Sequence, residues 1–340
     1  MSRSIDRPIV ILCVLLTLLA FSISICGCNA PTVSTPTPAA TQVTAFGEPD
    51  HIPSPAAQPT GQSSLLTVHF IDVGQGDSIL VMYGNKSMLI DGGRPDAGPA
   101  LAAYLKKEGV STIDVMVSTH PHADHIGGLL TVLQEFPVKR VVDSGQPHSS
   151  RTYERYLTLI DEKNIPYKVG ERGQYINLSP AVTIKVLSPP ASGLEGDLNQ
   201  KSIVLRIDYG NISFLLMGDA GFAAERNLMA THQSLNSTVL KVGHHGTKYA
   251  TSRVFLSEVK PQISVIEVGA NKYGHPAPEL LKRLEEAGSK VYRTDINGDI
   301  VITTDGKTYS VSTQYPALET RSMLIAAWNP GPHTGMEAAA

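Results

Sequence analysis

Cysteine is scarce in this chain of 340 residues. The three cysteines are Cys13, Cys26 and Cys28, and all lie near the start. The remainder of the chain therefore has no cysteine pair for a disulfide and no thiol nucleophile. Any transition-metal site in the folded part must be built from histidine, aspartate, glutamate or asparagine side chains.

The chain also lacks an excess of basic residues, since its formal net charge is −3. Residues 1–27 contain Arg3, Arg7 and Asp6, so the rest has 26 basic and 30 acidic residues, a net charge of −4. Proteins that grip the nucleic-acid backbone usually carry a basic excess. The composition therefore argues against strong DNA binding through overall charge, although a local basic patch stays compatible with it.

A long apolar run from Ile9 to Ile25 follows two arginines, which predicts a secretory signal over residues 1–28. Gly27 directly before Cys28 resembles the bacterial lipobox. We therefore predict a lipid on Cys28 that anchors an extracytoplasmic protein to the cell membrane, or a secreted protein. An uncleaved membrane anchor is the alternative, because the run approaches the ~20 residues that span a bilayer.

The segment from 29 to 64 is rich in proline, threonine, serine, alanine and glutamine and has no hydrophobic period. Such a composition cannot bury a core, so we predict a disordered linker. Alternating apolar strands and amphipathic helices then predict one folded domain over residues 65–314. The segment 315–340 is predicted to be a flexible tail.

The most informative stretch is VMVSTHPHADHIGG, residues 115–128. Four potential metal ligands, His120, His122, Asp124 and His125, follow an apolar strand. His120 and His122, two residues apart on an extended loop, point the same way and can share one cation, while Asp124 and His125 can hold a second. A polar surface loop is the alternative, but three crowded imidazoles would repel one another when protonated.

Other strand ends carry the same residue types. Asp91 follows a strand in LIDGG, and Asp219 follows an apolar strand in MGD. Six of the eleven histidines lie in three such loops, namely His120, His122, His125, His244, His245 and His275. Because strand ends in a layered α/β protein can meet at one rim, we expect these side chains to converge.

The pattern H-x-H-x-D-H after a hydrophobic strand resembles the signature of the metallo-β-lactamase fold hydrolases. Together with DVGQGD, LIDGG, KVGHHG and YGHP, it is similar to the hydrolase domain at the C-terminus of ComEC-type competence proteins, over residues 65–312. The resemblance implies an α/β (α+β) fold, a four-layer αββα sandwich. Two mixed sheets would pack face to face, with helices outside and metals at one edge.

The resemblance also implies roles for individual residues. His120 and His122 are expected to hold a first metal, and Asp124, His125 and His244 a second, with Asp219 between them. His245 is expected to be a ligand or a neighbour of one, and Asp91 to orient a ligand histidine. Asp77 is expected at the edge of the active site, and His275 or Tyr273 is expected to protonate the leaving group.

One position departs from the wider family, where a third histidine precedes the next ligand by some twenty residues. Here Asn199, with Ser202 in an N-x-x-S motif, is twenty positions before Asp219. An amide oxygen suits Mn²⁺ better than Zn²⁺. We therefore expect one or two ions of Zn²⁺ or Mn²⁺, with His148 as the alternative third ligand.

The predicted function is that of an extracytoplasmic metal-dependent hydrolase that uses a metal-activated water. The ComEC likeness favours a phosphodiesterase or nuclease-like enzyme, with DNA or a cell-wall polymer as the phosphodiester substrate. One alternative is an esterase that acts on phosphorylcholine of teichoic acids. Another is a non-catalytic binding lipoprotein that retains the fold. The sequence does not indicate an oligomeric state.

Overall fold

The computed structural model describes residues 65–194 and 196–316. The predicted signal peptide, its alternative as an anchor, the linker, and the tail beyond residue 316 lie outside these ranges. Within them, no helix combines the length and apolar character needed to cross a bilayer.

The first sheet has eight strands, with a mixed arrangement. In chain order they are β1 (Leu66–Phe70), β2 (Ile79–Tyr83), β3 (Lys86–Ile90), β4 (Val115–Ser118), β5 (Val141–Asp143), β6 (Tyr167–Val169), β13 (Ile300–Thr304) and β14 (Tyr309–Thr313). Their spatial order is β14-β13-β1-β2-β3-β4-β5-β6. The pairs from β3 to β6 are parallel and the others antiparallel.

The second sheet has six strands and is also mixed. They are β7 (Thr183–Ser188), β8 (Val204–Tyr209), β9 (Ile212–Leu216), β10 (Val239–Lys241), β11 (Ile263–Ile266) and β12 (Lys290–Arg293). Their order is β12-β11-β10-β9-β8-β7. The β7–β8 and β8–β9 pairs are antiparallel, and the pairs from β9 to β12 are parallel.

The two sheets pack face to face across one apolar core. Side chains such as Phe70 and Val117 of the first sheet and Leu205 and Phe214 of the second belong to this single buried cluster. Strands β3, β4 and β9 are buried on both faces, which explains their nearly continuous apolar sequences.

Helices cover the outer face of each sheet. They are α1 (Gly98–Lys107), α2 (Ala123–Ile126), α3 (Leu129–Glu135), α4 (Arg151–Glu162), α5 (Phe222–Met229), α6 (Arg253–Val259), α7 (Pro278–Glu286) and α8 (Thr294–Asn297). Apolar residues of α1 to α4 form a cluster with the outer face of the first sheet. Those of α5, α6 and α7 do so with the second. The predicted four-layer αββα sandwich is therefore confirmed.

Candidate metal centre

The loops that follow four strands converge at one edge of the sandwich. Asp91 follows β3, the histidine motif follows β4, Asp219 follows β9, and His244 with His245 follows β10. Backbone hydrogen bonds fasten these loops, because Asp91 N donates to Val117 O (2.9 Å) and His244 N to Gly218 O (3.0 Å). The parallel strands thus deliver the ligand residues of both sheets to a common rim.

The DVGQGD loop passes directly beneath the histidine motif, and this approach requires glycine. Gly76 has a φ of +147°, and a Cβ atom there would lie 2.3 Å from the carbonyl oxygen of Asp124. Asp77 N donates to that same carbonyl at 3.3 Å. The close approach brings the Asp77 side chain into the cluster described below.

A first group of potential ligand atoms comprises His120, His122 and Asp219, all within 4.8 Å of one another. His120 Nε2 lies 2.9 Å from His122 Nδ1 and 3.6 Å from Asp219 Oδ2. His120 and Asp219 are buried, and His122 is partly exposed. Burial lowers the pKa of both histidines, which favours the neutral ring, the form of histidine that binds a cation.

A second group comprises Asp77, His125, Asp219 and His245, again within 4.8 Å and all buried. Asp219 Oδ1 lies 3.3 Å from His125 Nε2 and 3.6 Å from His245 Nε2. Asp124 joins from the cleft side, with Oδ2 3.5 Å from His245 Nε2. Asp219 therefore presents one oxygen to each group.

Opposite charges within the second group stabilise one another. Burial alone would lower the pKa of His245, but Asp219 and Asp77 raise it to about 10. Burial alone would raise the pKa of Asp219, but His245 and His125 hold it well below its usual range. The protonated imidazoles thus supply the positive charge that these carboxylates need, and a divalent cation can replace those protons.

Hydrogen bonds fix the ring orientation of the buried histidines. His125 Nδ1 donates to Asp91 Oδ2 at 2.8 Å, and Asp91 also accepts from Thr119 N (2.8 Å) and Thr119 Oγ1 (2.6 Å). His245 Nδ1 lies 3.0 Å from the Glu267 carbonyl oxygen and 3.2 Å from Asp77 Oδ1. In both rings Nε2 is left to face Asp219, an arrangement typical of metal-bound histidine.

The donor set fits a metal ion by a further criterion. Among the described residues, His125 Nε2, His245 Nε2, Asp219 Oδ1, Asp77 Oδ1 and Asn199 Oδ1 are buried atoms without a hydrogen-bond partner. Leaving such atoms unsatisfied is costly, so the four that belong to the second group call for a common ligand, while Asn199 Oδ1 offers a donor near the first. Nitrogen and oxygen donors of this kind suit Zn²⁺ or Mn²⁺.

The two histidines of GHHG lie in different places. Both have left-handed backbones, with φ of 50° for His244 and 52° for His245, which is uncommon outside glycine. The sequence favoured His244 for the second group, but the structure places His245 there. His244 Nε2 instead lies 3.7 Å from Asp219 Oδ2, the oxygen that faces His120, and its side chain is 31% exposed.

Asn199 and His148 are the two predicted alternatives for a third donor near His120. Asn199 lines the same cleft as His122 and His244. His148 has its ring centroid 5.9 Å from that of His122, and its Nδ1 lies 2.9 Å from Ser150 Oγ, at the start of α4. Ser202 Oγ lies 3.4 Å from His120 Nδ1 and accepts from Asp219 N at 3.2 Å.

A cleft of about 330 Å³ opens above the two groups. Its lining comprises Gln75, His122, Ala123, Asp124, Asn199, Asp219, His244, His245, Tyr273 and His275. Tyr273 is exposed, and the ring of the half-buried His275 lies 5.8 Å from that of His244. Burial and the neighbouring His244 lower the pKa of His275 to about 4.

Sequence reasoning missed two buried charged residues beneath the cluster. Lys241 lies in β10, and its Nζ donates to Asp77 Oδ2 and, at 3.2 Å, to Gly218 O. Glu267 follows β11 and accepts from Ser78 N at 2.9 Å; burial raises its pKa well above the usual range. A charged residue inside each apolar run, VLKV and SVIEV, was the available signal.

An αββα sandwich whose strand-end loops gather histidines and carboxylates at one edge defines a class of metal-dependent proteins. The profile of the Metallo-beta-lactamase superfamily matches residues 71–269 of this chain. The chain therefore belongs to the metallo-β-lactamase superfamily, the family of hydrolases expected from its motifs.

Two curated relatives are competence proteins related to ComEC, which confirms the narrower resemblance. ComE operon protein 3 of Bacillus subtilis (strain 168) is 31% identical over 252 residues, covering 68% of this chain and 32% of that protein. Competence protein ComA of Neisseria gonorrhoeae is 33% identical over 230 residues, covering 67% and 30%. This chain thus matches only about a third of the length of each.

Among solved structures, the metallo-beta-lactamase fold protein YhfI from Bacillus subtilis is similar with a TM-score of 0.49 and 14% identity. The match covers 70% of this chain and 100% of that one.

Proposed function

We propose that this protein is an extracytoplasmic, metal-dependent phosphodiesterase of a nuclease-like kind. The observation that carries the proposal is the Asp219 carboxylate, which presents Oδ2 to His120 and Oδ1 to His125 and His245. A buried carboxylate shared between two groups of imidazoles suits a pair of cations. Paired cations suit displacement at phosphorus.

The first ion would be held by His120, His122 and Asp219, with Asn199 or His244 as a further donor. The second would be held by His125, His245, Asp124 and Asp219, with Asp77 beside them. A bound divalent cation supplies Lewis acidity and a water whose pKa is lowered toward ~7.

Other residues in and below the cleft have roles that do not depend on a bound ion. Below the cleft, the Asp91 carboxylate holds the ring of His125 in place, and Asp77 Oδ1 lies 3.2 Å from Nδ1 of His245. His275 is neutral because burial lowers its pKa, so it can donate a hydrogen bond but not release a proton from a charged ring. The hydroxyl of the exposed Tyr273 is then the better proton donor to a departing alkoxide, since it stands at the open side of the cleft.

Location outside the cytoplasm and attachment to a membrane are parts of the same proposal. They rest on the signal-like sequence before Cys28. Metabolic labelling with a palmitate analogue tests them. If Cys28 carries the lipid, the wild type should take up the label and the Cys28→Ser variant should not. An uncleaved anchor would instead leave the chain at its full length.

Turnover of bis-p-nitrophenyl phosphate with Mn²⁺ or Zn²⁺, alongside measurement of bound metal, tests the activity. We expect hydrolysis that a chelator abolishes and that added metal restores. A protein that binds metal but hydrolyses no phosphodiester would instead be the non-catalytic binding lipoprotein.

Nicking of plasmid DNA compared with release of phosphorylcholine from envelope polymer separates the two substrate classes. Among the described residues the cleft has no lysine or arginine in its lining, so affinity for DNA must come from other contacts there. Release of phosphorylcholine without any nicking would replace the nuclease-like assignment by the esterase.

A further inference from the structure

A second depression lies next to the metal cleft, on the other side of the turn formed by residues 198–202. Its volume is about 270 Å³. Asn199 of this turn lines the metal cleft, whereas Lys201 lines the second depression, which we call the side pocket. The two spaces are therefore separated by a single turn of chain.

The side pocket opens at the same rim as the metal ligands. Strand β5 pairs in parallel with β4, with Asp143 opposite Ser118, so Ser144 and the histidine motif leave neighbouring strands at the same edge. Adjacent strands lie about 4.8 Å apart. The Gln146 amide also donates to the carbonyls of Leu198 (3.3 Å) and Lys201 (3.2 Å), which ties the pocket wall to the turn.

Two polar atoms of the pocket wall are buried without a partner among the described residues. They are Ser144 Oγ and Gln146 Oε1, on side chains of residues only 7% and 8% exposed. An unpaired hydroxyl and amide oxygen in such positions are costly unless a ligand hydrogen-bonds to them. Val169 and Pro189 add apolar surface, and Glu171 adds a carboxylate.

This combination suits a flat ring that has apolar faces and hydrogen-bonding groups around its edge. A nucleobase has that character, because its faces stack on apolar surface and its edge carries amino and carbonyl groups. The volume lies below the ~300–1,000 Å³ of sites that hold a whole ligand, so part of a larger molecule fits. Choline is disfavoured, since none of the described residues lining this pocket is aromatic.

We infer that the side pocket receives one base of a nucleic-acid strand whose phosphodiester occupies the metal cleft. This inference rests on the proposed phosphodiesterase function and narrows its substrate to nucleic acid. Lys201, at the pocket, offers positive charge to the intervening backbone. Contacts to the base then contribute affinity for nucleic acid, which the net negative charge of the chain does not favour.

Binding of two fluorescein-labelled DNA 12-mers to the metal-loaded, full-length chain tests the pocket, with phosphorothioate linkages in both strands so that cleavage is suppressed. One 12-mer carries its bases and the other is abasic throughout. We expect the first to bind about tenfold more tightly, the net contribution of one or two hydrogen bonds to the edge of the base. Ala191→Trp fills the pocket from its exposed side, and Ser144→Ala removes the buried hydroxyl. Each should bring the ratio of affinities toward one.

Ser111→Ala is the matched control, because Ser111 is an exposed serine at the opposite end of the first sheet. It should keep the wild-type ratio. Equal affinity of the wild type for both 12-mers overturns the inference, as does a ratio that neither pocket variant changes. Displacement of the labelled DNA by phosphocholine from the wild type, but not from Ala191→Trp, would instead assign the pocket to the phosphorylcholine-bearing envelope polymer. A base preference without hydrolysis of bis-p-nitrophenyl phosphate supports the pocket and rejects the hydrolase.

Discussion

Lys241 Nζ donates a hydrogen bond to the carboxylate of Asp77, 164 residues away in the chain, and both side chains are almost completely buried. The pair joins the two sheets beneath the second group of potential ligands. Burial alone would raise the pKa of Asp77, but Lys241 and His245 hold it below its usual value. Asp77 therefore stays anionic beside the His245 ring, with its Oδ1 3.2 Å from Nδ1 of that ring.

Replacing Lys241 should leave that carboxylate buried without its partner. We expect Lys241→Met to lower the free energy of unfolding by about 3–5 kcal/mol, the usual cost of breaking a buried ion pair from one side. Urea denaturation of the chelated protein measures the change. The chelator keeps metal binding from contributing to the difference.

A second substitution provides the control for this prediction. In the double variant Lys241→Met with Asp77→Asn no unpaired charge remains, so stability should recover by at least half of the loss. Metal affinity should nonetheless stay about 10–100-fold weaker, because the orienting carboxylate of His245 is gone. A double variant as unstable as the single one would show that the lysine acts through packing and not through charge.

Asp219 and Asp124 should be required for hydrolysis. Asp219→Ala removes the carboxylate shared by both groups, and Asp124→Ala removes the one that reaches His245 from the cleft side. We expect bis-p-nitrophenyl phosphate turnover to fall on the order of a thousandfold or more in each. Circular dichroism should show an unchanged fold, and full activity of either variant would reject the metal assignment.

The two histidines of GHHG should differ in their effect on metal content. His245 lies among buried donors, whereas His244 is partly exposed and faces the oxygen of Asp219 that is nearest His120. We therefore expect His245→Ala to lose the ion of the second group and His244→Ala to weaken the first. The measurement is the number of metal ions bound per protein after dialysis against a buffer that contains limiting metal.

His148→Ala is the matched control, since this histidine is near His122 but has its Nδ1 engaged with Ser150. It should retain the full metal content. A loss of metal as large as that of His245→Ala would make His148 the third ligand, the alternative that the sequence left open.

Local patterns predicted most of the fold. The strand predicted before Asp91 in LIDGG is present as Lys86–Ile90. The helix Pro278–Glu286 begins at proline, whose fixed φ suits the first helical turn. The strand Tyr167–Val169 was missed, because all three residues are exposed at the edge of the sheet and have no apolar run. Residues on either side of Ile176 form isolated bridges, and its side chain is buried in the core.

The sequence predicted those site residues that directly follow a strand. It did not predict contacts between side chains that lie far apart in the chain. His120, His125 and Asp219 were found because histidine or aspartate after a buried strand has no packing role. The choice between His244 and His245 depends on two left-handed residues in succession, which adjacent positions in a sequence do not reveal. Lys241 could not be matched to Asp77, because only the packing of one sheet on the other brings them together.

The pH dependence of stability should report a histidine outside the metal cluster. His69 is 4% exposed, and its Nδ1 lies 2.8 Å from the hydroxyl of Tyr104 on α1. Burial lowers its pKa from 6.5 to about 4, so the folded protein favours the neutral ring. Between those two values the unfolded chain binds more protons than the folded one, and stability therefore rises with pH across that window.

We expect this histidine to contribute about 2 kcal/mol of stability at pH 7.5 that is absent at pH 5, from the difference between the two pKa values. His69→Asn places an amide near the Tyr104 hydroxyl and cannot titrate. The difference in free energy of unfolding between pH 7.5 and 5, measured in chelator, should shrink by that amount in the variant. Other titrating groups, including the ligand histidines, contribute equally to both proteins and cancel. An identical pH dependence would mean that the His69 ring keeps its ordinary pKa in the folded protein.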